Sequence, residues 1–151
     1  MRGDFFILRS DEQKANAVAA LSIVNATPEQ PYSVKIEAYS ETRRQAQNSL
    51  SHMWYGEIAK QGKEYTPEQI HSRCKYRYGI PLMVNEPTFN TFWERVLSTQ
   101  PTYEEIVDEI MPYTPVTRLM SMAQMAQYLT DVDREMGQKY RLTNPALYGL
   151  E

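Results

Sequence analysis

Tyr32-Ser33-Val34-Lys35-Ile36-Glu37-Ala38-Tyr39 is the stretch on which the fold class turns. Its polar and apolar residues alternate, and side chains on a strand point to opposite faces in turn. Tyr32, Val34, Ile36 and Ala38 therefore share one face, and the segment reads as a half-buried strand. Upstream, Asn25 to Pro31 is a turn broken by Pro28 and Pro31. Before that turn Ala15, Val18, Ala19, Ser22 and Ile23 recur at helical spacing, which predicts a helix over 11–24. Ser10 and Gln13 stand three apart at its start, the spacing of a capping box. Phe5-Phe6-Ile7-Leu8, ended by Arg9-Ser10, reads as a short buried strand. The opening is thus predicted to be β-α-β, with its two strands sharing a small sheet.

Downstream the pattern changes to helical. Ala46, Leu50, Met53, Trp54 and Ile58 form one apolar stripe, so 42–61 is predicted helical with Gly62 as the stop. Thr66-Pro67-Glu68-Gln69 combines a cap, a proline at the first position and a glutamine at the third, opening a helix to Tyr78 that Gly79 closes. Ile80 to Val84 reads as extended, 88–97 as a helix, and Thr102-Tyr103-Glu104-Glu105 as a capping box for a helix to Met111. Ser121 to Gln124 starts the last long helix, with Met122, Met125, Ala126, Leu129, Val132 and Met136 turned inward. The expected fold class is α+β: a small sheet from an N-terminal β-α-β unit, followed by a mainly helical region. The expected organisation is one domain over 1–141 and an irregular tail over 142–151.

The chain has 151 residues, 42% of them apolar and 23% charged, which suits a globular domain and is too apolar for disorder. No apolar run approaches the ~20 residues that span a bilayer, so no membrane partner is expected. Met1-Arg2-Gly3-Asp4 is not a basic region leading into an apolar core, so no signal peptide is expected. Cys74 is the one cysteine, which excludes an internal disulfide and fits a reducing cytoplasm. The formal charge of −3 hides an asymmetry. Residues 43–78 hold seven basic and three acidic side chains, while the rest holds nine and sixteen. Fields follow local charge, so this segment attracts phosphate even though the whole chain is acidic.

Enzyme chemistry finds little support. The sequence has neither a GxxxxGK[ST] loop nor a GxGxxG turn to cradle nucleotide phosphates. His52 and His71 fall on different predicted helices and read as surface or interface residues rather than metal ligands. Cys74 shares a face with His71, but no oxyanion hole or orienting group is evident, so it reads as a buried apolar residue. Glu104, Glu105, Asp108 and Glu109 suggest a two-metal nuclease, yet acids in a helix's first turn are also what its dipole favours. No catalytic residue, metal or cofactor is expected.

The basic segment carries more. Arg43 and Arg44 stand at a helix start, where the dipole disfavours cations by ~0.3–1 kcal/mol each, and an anionic partner would compensate. Arg73, Lys75 and Arg77 interleave with Tyr76 and Tyr78, and single-stranded nucleic acid needs both positive charge and flat rings. Gln47-Asn48 adds two amides able to bond phosphate, base edges or a partner's backbone.

Arg44-Gln45-Ala46-Gln47-Asn48 followed by His52-Met53-Trp54-Tyr55-Gly56-Glu57-Ile58-Ala59 resembles the Gln-Asn helix of the phage recombination proteins of the NinB family, also called Orf. The order strand, helix, strand, Gln-Asn helix agrees. So do Cys74-Lys75, Tyr78-Gly79-Ile80-Pro81, Pro115 to Met120 and Leu142-Thr143-Asn144-Pro145. The resemblance implies a non-catalytic recombination mediator in the host bacterial cytoplasm. Such a protein is a homodimer that binds single-stranded DNA and acts with the host single-strand-binding protein to load a recombinase. Carried onto this chain, it implies DNA contact by Arg43, Arg44, Gln47, Asn48, Lys60, Lys63, Arg73, Lys75 and Arg77, with Arg118, Lys139 and Arg141 in support. The rival expectations are a protein adaptor without direct DNA binding, motivated by the acidic helix and eight methionines, and a metal-dependent nuclease.

Overall fold

The structure is a computed structural model that describes residues 5–38 and 42–150. The chain divides into two compact units, Met1–Thr42 and Arg43–Glu151.

In the first unit, helix α1 (Asp11–Ser22) forms where the apolar spacing placed it. Ser10 caps it, its Oγ accepting from the Gln13 N–H at 3.2 Å. Gln13 reaches back one residue further than a capping box requires and accepts from the Arg9 N–H at 2.6 Å. Helix α1 buries none of its residues. Residues 5–8 and 32–38 form no strand, and no strand occurs anywhere among the described residues. The α+β expectation is thereby corrected to an all-helical fold; Tyr39, the last residue of the predicted second strand, lies outside the described residues. The reason is physical. Strands joined by a crossover helix must pair in parallel, and parallel sheets need cover on both faces. Two strands alone are marginal without a third strand or a packed helix face. Alternation in 32–38 marks an amphipathic segment but supplies no partner, and Val34 and Ile36 remain 65% and 88% exposed.

The second unit is built on α2 (Arg43–Gly62), which buries Ala46, Gln47, Leu50, Ser51, Trp54, Tyr55 and Ile58. The buried face is wider than the predicted stripe because Tyr55 finds a partner for its hydroxyl, 2.6 Å from that of Tyr128. Gly62 is still helical; it is Lys63 that turns left-handed, with φ 56°. Helix α3 (Pro67–Cys74) opens on the complete Thr66–Gln69 capping box.

Gly79 does not close that helix. A π-turn over Lys75–Gly79, where the Ile80 N–H donates to the Lys75 carbonyl, leads directly into α4 (Ile80–Met83). The segment expected to be extended is therefore helical. Gly79 serves close packing: a Cβ there would lie 2.6 Å from Val116 Cγ1. Helix α5 (Pro87–Ser98) follows, and α6 (Tyr103–Glu105) starts on the expected Thr102–Glu105 box before widening into a second π-turn, Ile106–Ile110. Short 3₁₀ turns at Met111–Tyr113 and Thr117–Leu119 lead to α7 (Met122–Met136), opened by the Ser121–Gln124 box. Met125, Tyr128, Leu129 and Val132 face inward from α7, while Met122 is half exposed rather than buried.

Residues 142–150 are tied onto α2. Thr143 donates its N–H and hydroxyl to the two carboxylate oxygens of Glu57 at 2.8 and 2.9 Å, and its carbonyl accepts from the Trp54 indole at 2.8 Å. Gln61 brackets the Arg141 backbone at 2.7 and 2.8 Å. Asn144 then caps a 3₁₀ turn at Pro145–Tyr148, and Tyr148 and Leu150 are buried. Trp54 is 1% exposed and belongs to the core.

Candidate nucleic-acid interface

An aromatic recess of the second unit lies where α3 and its π-turn meet the end of α7. Tyr65, Tyr76, Tyr78, Tyr103 and Tyr140 line a cavity of about 380 Å³, together with Arg73, Arg77, Lys139 and Glu135. The Tyr76 and Tyr103 rings are 5.8 Å apart at 60°. Arg73 lies 3.8 Å above the Tyr65 ring and 3.5 Å from the Asp108 carboxylate. Arg77 makes a two-pronged contact with Glu135, at 3.2 Å through Nε and 2.5 Å through Nη2. That contact holds the Glu135 carboxyl below its ordinary range. Tyr78 is pushed up to about 12, by burial first and by Glu135 next, so its hydroxyl keeps its proton at neutral pH.

The start of α2 makes a second group. Arg44 donates to the carbonyls of Arg118 and Met120 at 3.1 and 2.9 Å, and Gln47 donates to Met122 at 3.0 Å. These two side chains therefore hold the 117–122 segment against α2. Arg44, Gln47, Asn48 and Arg118 line a cavity of about 290 Å³. Gln47 Oε1 is buried there without a hydrogen-bond partner. Arg43 lines a separate recess with Trp54, Leu129 and Asp133.

The twelve residues singled out from sequence thus do not form one group. Arg73, Arg77 and Lys139 meet at the tyrosine cavity, while Arg44, Gln47, Asn48 and Arg118 meet at the start of α2. Lys60, Lys63 and Arg141 are exposed, the last held by its backbone. Lys75 is only 7% exposed and donates to the Thr114 carbonyl at 3.0 Å; burial, then the Arg118 charge, lowers its pKa. Its ammonium holds the chain turn at Thr114 rather than facing solvent. Tyr65, Tyr103, Tyr140 and Glu135 escaped the sequence reading because only the folded chain brings residues 65, 77, 103, 135 and 140 together.

The histidines stack rather than chelate. His71 lies on Tyr55 with 4.5 Å between centroids, and His52 meets its edge at 5.3 Å. Burial pushes the Cys74 thiol up to about 12, so it carries no thiolate at neutral pH. In the acidic helix Glu105 closes the capping box and Asp108 faces Arg73. Among the described residues no three His, Cys, Asp or Glu side chains come together as metal ligands. None of the described helices is long and apolar enough to cross a membrane.

The described residues define an all-helical protein with an aromatic cavity on its larger unit, lined by Arg73, Arg77 and Lys139 and by the carboxylates Glu64 and Glu135. Residues 2–71 match the family model described as NinB protein, so over that stretch, a little under half of its length, the chain is similar to that family. No curated protein and no solved structure gives a match.

Proposed function

We propose that this protein is a non-catalytic recombination mediator that binds single-stranded DNA in the host bacterial cytoplasm and acts there with the host single-strand-binding protein. The observation that carries the reading is the cavity in which five tyrosines are rimmed by Arg73, Arg77 and Lys139. Single-stranded nucleic acid is held by stacking of bases on rings, at ~1–3 kcal/mol per base, and by cations that track the backbone. Arg43 and Lys60 on α2, and Lys63 just past its end, are exposed cations, and Asn48 is an exposed amide able to bond phosphate or base edges. The test is fluorescence anisotropy with labelled single- and double-stranded oligonucleotides over a salt series. Single strands bind at low salt, and affinity falls by a log–log slope of ~0.7 per phosphate contacted. Absence of single-strand binding at low salt overturns the reading.

One observation favours the adaptor alternative: Asp108 and Glu135 already occupy the two arginines at the cavity. A partner retained in a pull-down after nuclease treatment, with no oligonucleotide bound, decides for that alternative.

A further inference from the structure

The geometry points to the tyrosine cavity as a seat for one unstacked nucleotide, its base among the rings and its phosphate on Arg77 in the place now held by the Glu135 carboxylate. This inference rests on the single-strand-binding reading above and adds a ligand unit, an orientation and a competitor to it.

The cavity, about 380 Å³, falls within the ~300–1,000 Å³ of small-molecule sites. Its walls include five tyrosine rings, with Tyr76 inclined at 60° to Tyr103. Arg73 supplies a guanidinium plane fixed over Tyr65 and steadied by Asp108. Both ring faces and guanidinium planes stack on unpaired bases.

The phosphate position follows from Glu135. Its two oxygens take the Nε and Nη2 donors of Arg77, the two-pronged geometry that a carboxylate shares with a phosphate. Glu135 is thus a phosphate mimic built into the rim. The pair is exposed, with side-chain accessibilities of 67% and 45%, and pairs of that kind contribute little stability. An incoming phosphate can therefore displace the carboxylate without opening the core. Exchange at Arg77 leaves Glu135 free to swing toward water and Lys139 beside the bound phosphate.

Three surface substitutions separate the parts, with circular dichroism as the folding control. Glu135→Gln removes the competing charge, and its affinity for a labelled oligothymidylate rises about tenfold. Arg77→Ala lowers affinity, and Glu135→Gln added to it recovers less than it gains when Arg77 is present. Tyr103→Leu, at a ring that is 51% exposed, weakens binding by about tenfold. Wild-type protein also quenches an oligonucleotide carrying 2-aminopurine, which reports base-on-ring stacking without any substitution. Equal gains from Glu135→Gln with and without Arg77 overturn the exchange. Unchanged binding by Tyr103→Leu together with unquenched 2-aminopurine overturns the base seat, although single-strand binding then stands. Failure of the wild type to bind the oligothymidylate takes down the functional reading itself.

Discussion

His71 carries its ring flat on Tyr55, and its Nε2 is shut away from water without a hydrogen-bond partner. Burial, reinforced by the charges of Lys75 and His52, pulls this imidazole down from 6.5 to about 4. Between those two values the unfolded chain binds a proton that the folded chain refuses, so stability falls as pH drops through that window. Above it the histidine contributes no slope. Thermal midpoints measured by circular dichroism are expected to fall from pH 6.5 toward pH 4. A His71→Phe variant keeps the part of the fall due to carboxylates and loses the histidine part. Parallel curves for the two proteins defeat the assignment. Lys75 teaches a related lesson: its neighbours in sequence mark it as a phosphate contact, yet its ammonium ends on the Thr114 carbonyl inside the fold. A side chain's charge is legible in a sequence; its direction depends on a residue thirty-nine positions away.

Among the elements, the π-turn at Lys75–Gly79 has the most specific requirement. It brings Val116 against the backbone at Gly79, leaving no room for a methyl group. Gly79→Ala is expected to destabilise the protein by ~1–3 kcal/mol, the usual cost of overpacking. Urea unfolding checks it, and an unchanged midpoint removes the packing argument. The interaction is long-range, so nothing local in the sequence distinguishes Gly79 from a helix stop. Helix starts were far more legible. The boxes at Thr66, Thr102 and Ser121 all form, because each is settled within four consecutive residues. The sheet was illegible for the opposite reason. Residues 32–38 alternate as a strand does, but a strand is defined by its partner, and periodicity names none. The tyrosine cavity belongs with the sheet in this respect, since no spacing rule joins Tyr65 to Tyr140.

At the scale of the molecule, the described residues of the first unit include strongly exposed apolar side chains. Ile23 is 84% exposed, Ile36 88% and Phe5 77%. Covering such a side chain removes apolar surface from water, and each contributes ~1.5–3 kcal/mol when fully buried. A second copy of the chain is the proposed cover. Sedimentation equilibrium is expected to return twice 17.6 kDa, and Ile36→Asp combined with Ile23→Asp to shift the protein toward monomer. A monomeric wild type at micromolar concentration contradicts this. Dimerisation would also set two tyrosine cavities on one assembly and raise avidity without new contacts. The tie between Thr143 and α2 has a consequence of another kind, on the translating ribosome. Trp54 and Glu57 emerge 89 and 86 residues before the threonine that completes their bonding. At ~5–20 residues per second the nascent α2 waits roughly 4–18 s with that indole and carboxylate unanswered. The larger unit therefore closes late in its own synthesis, and ribosome pausing within that interval lengthens the period in which its central helix is open to misassembly.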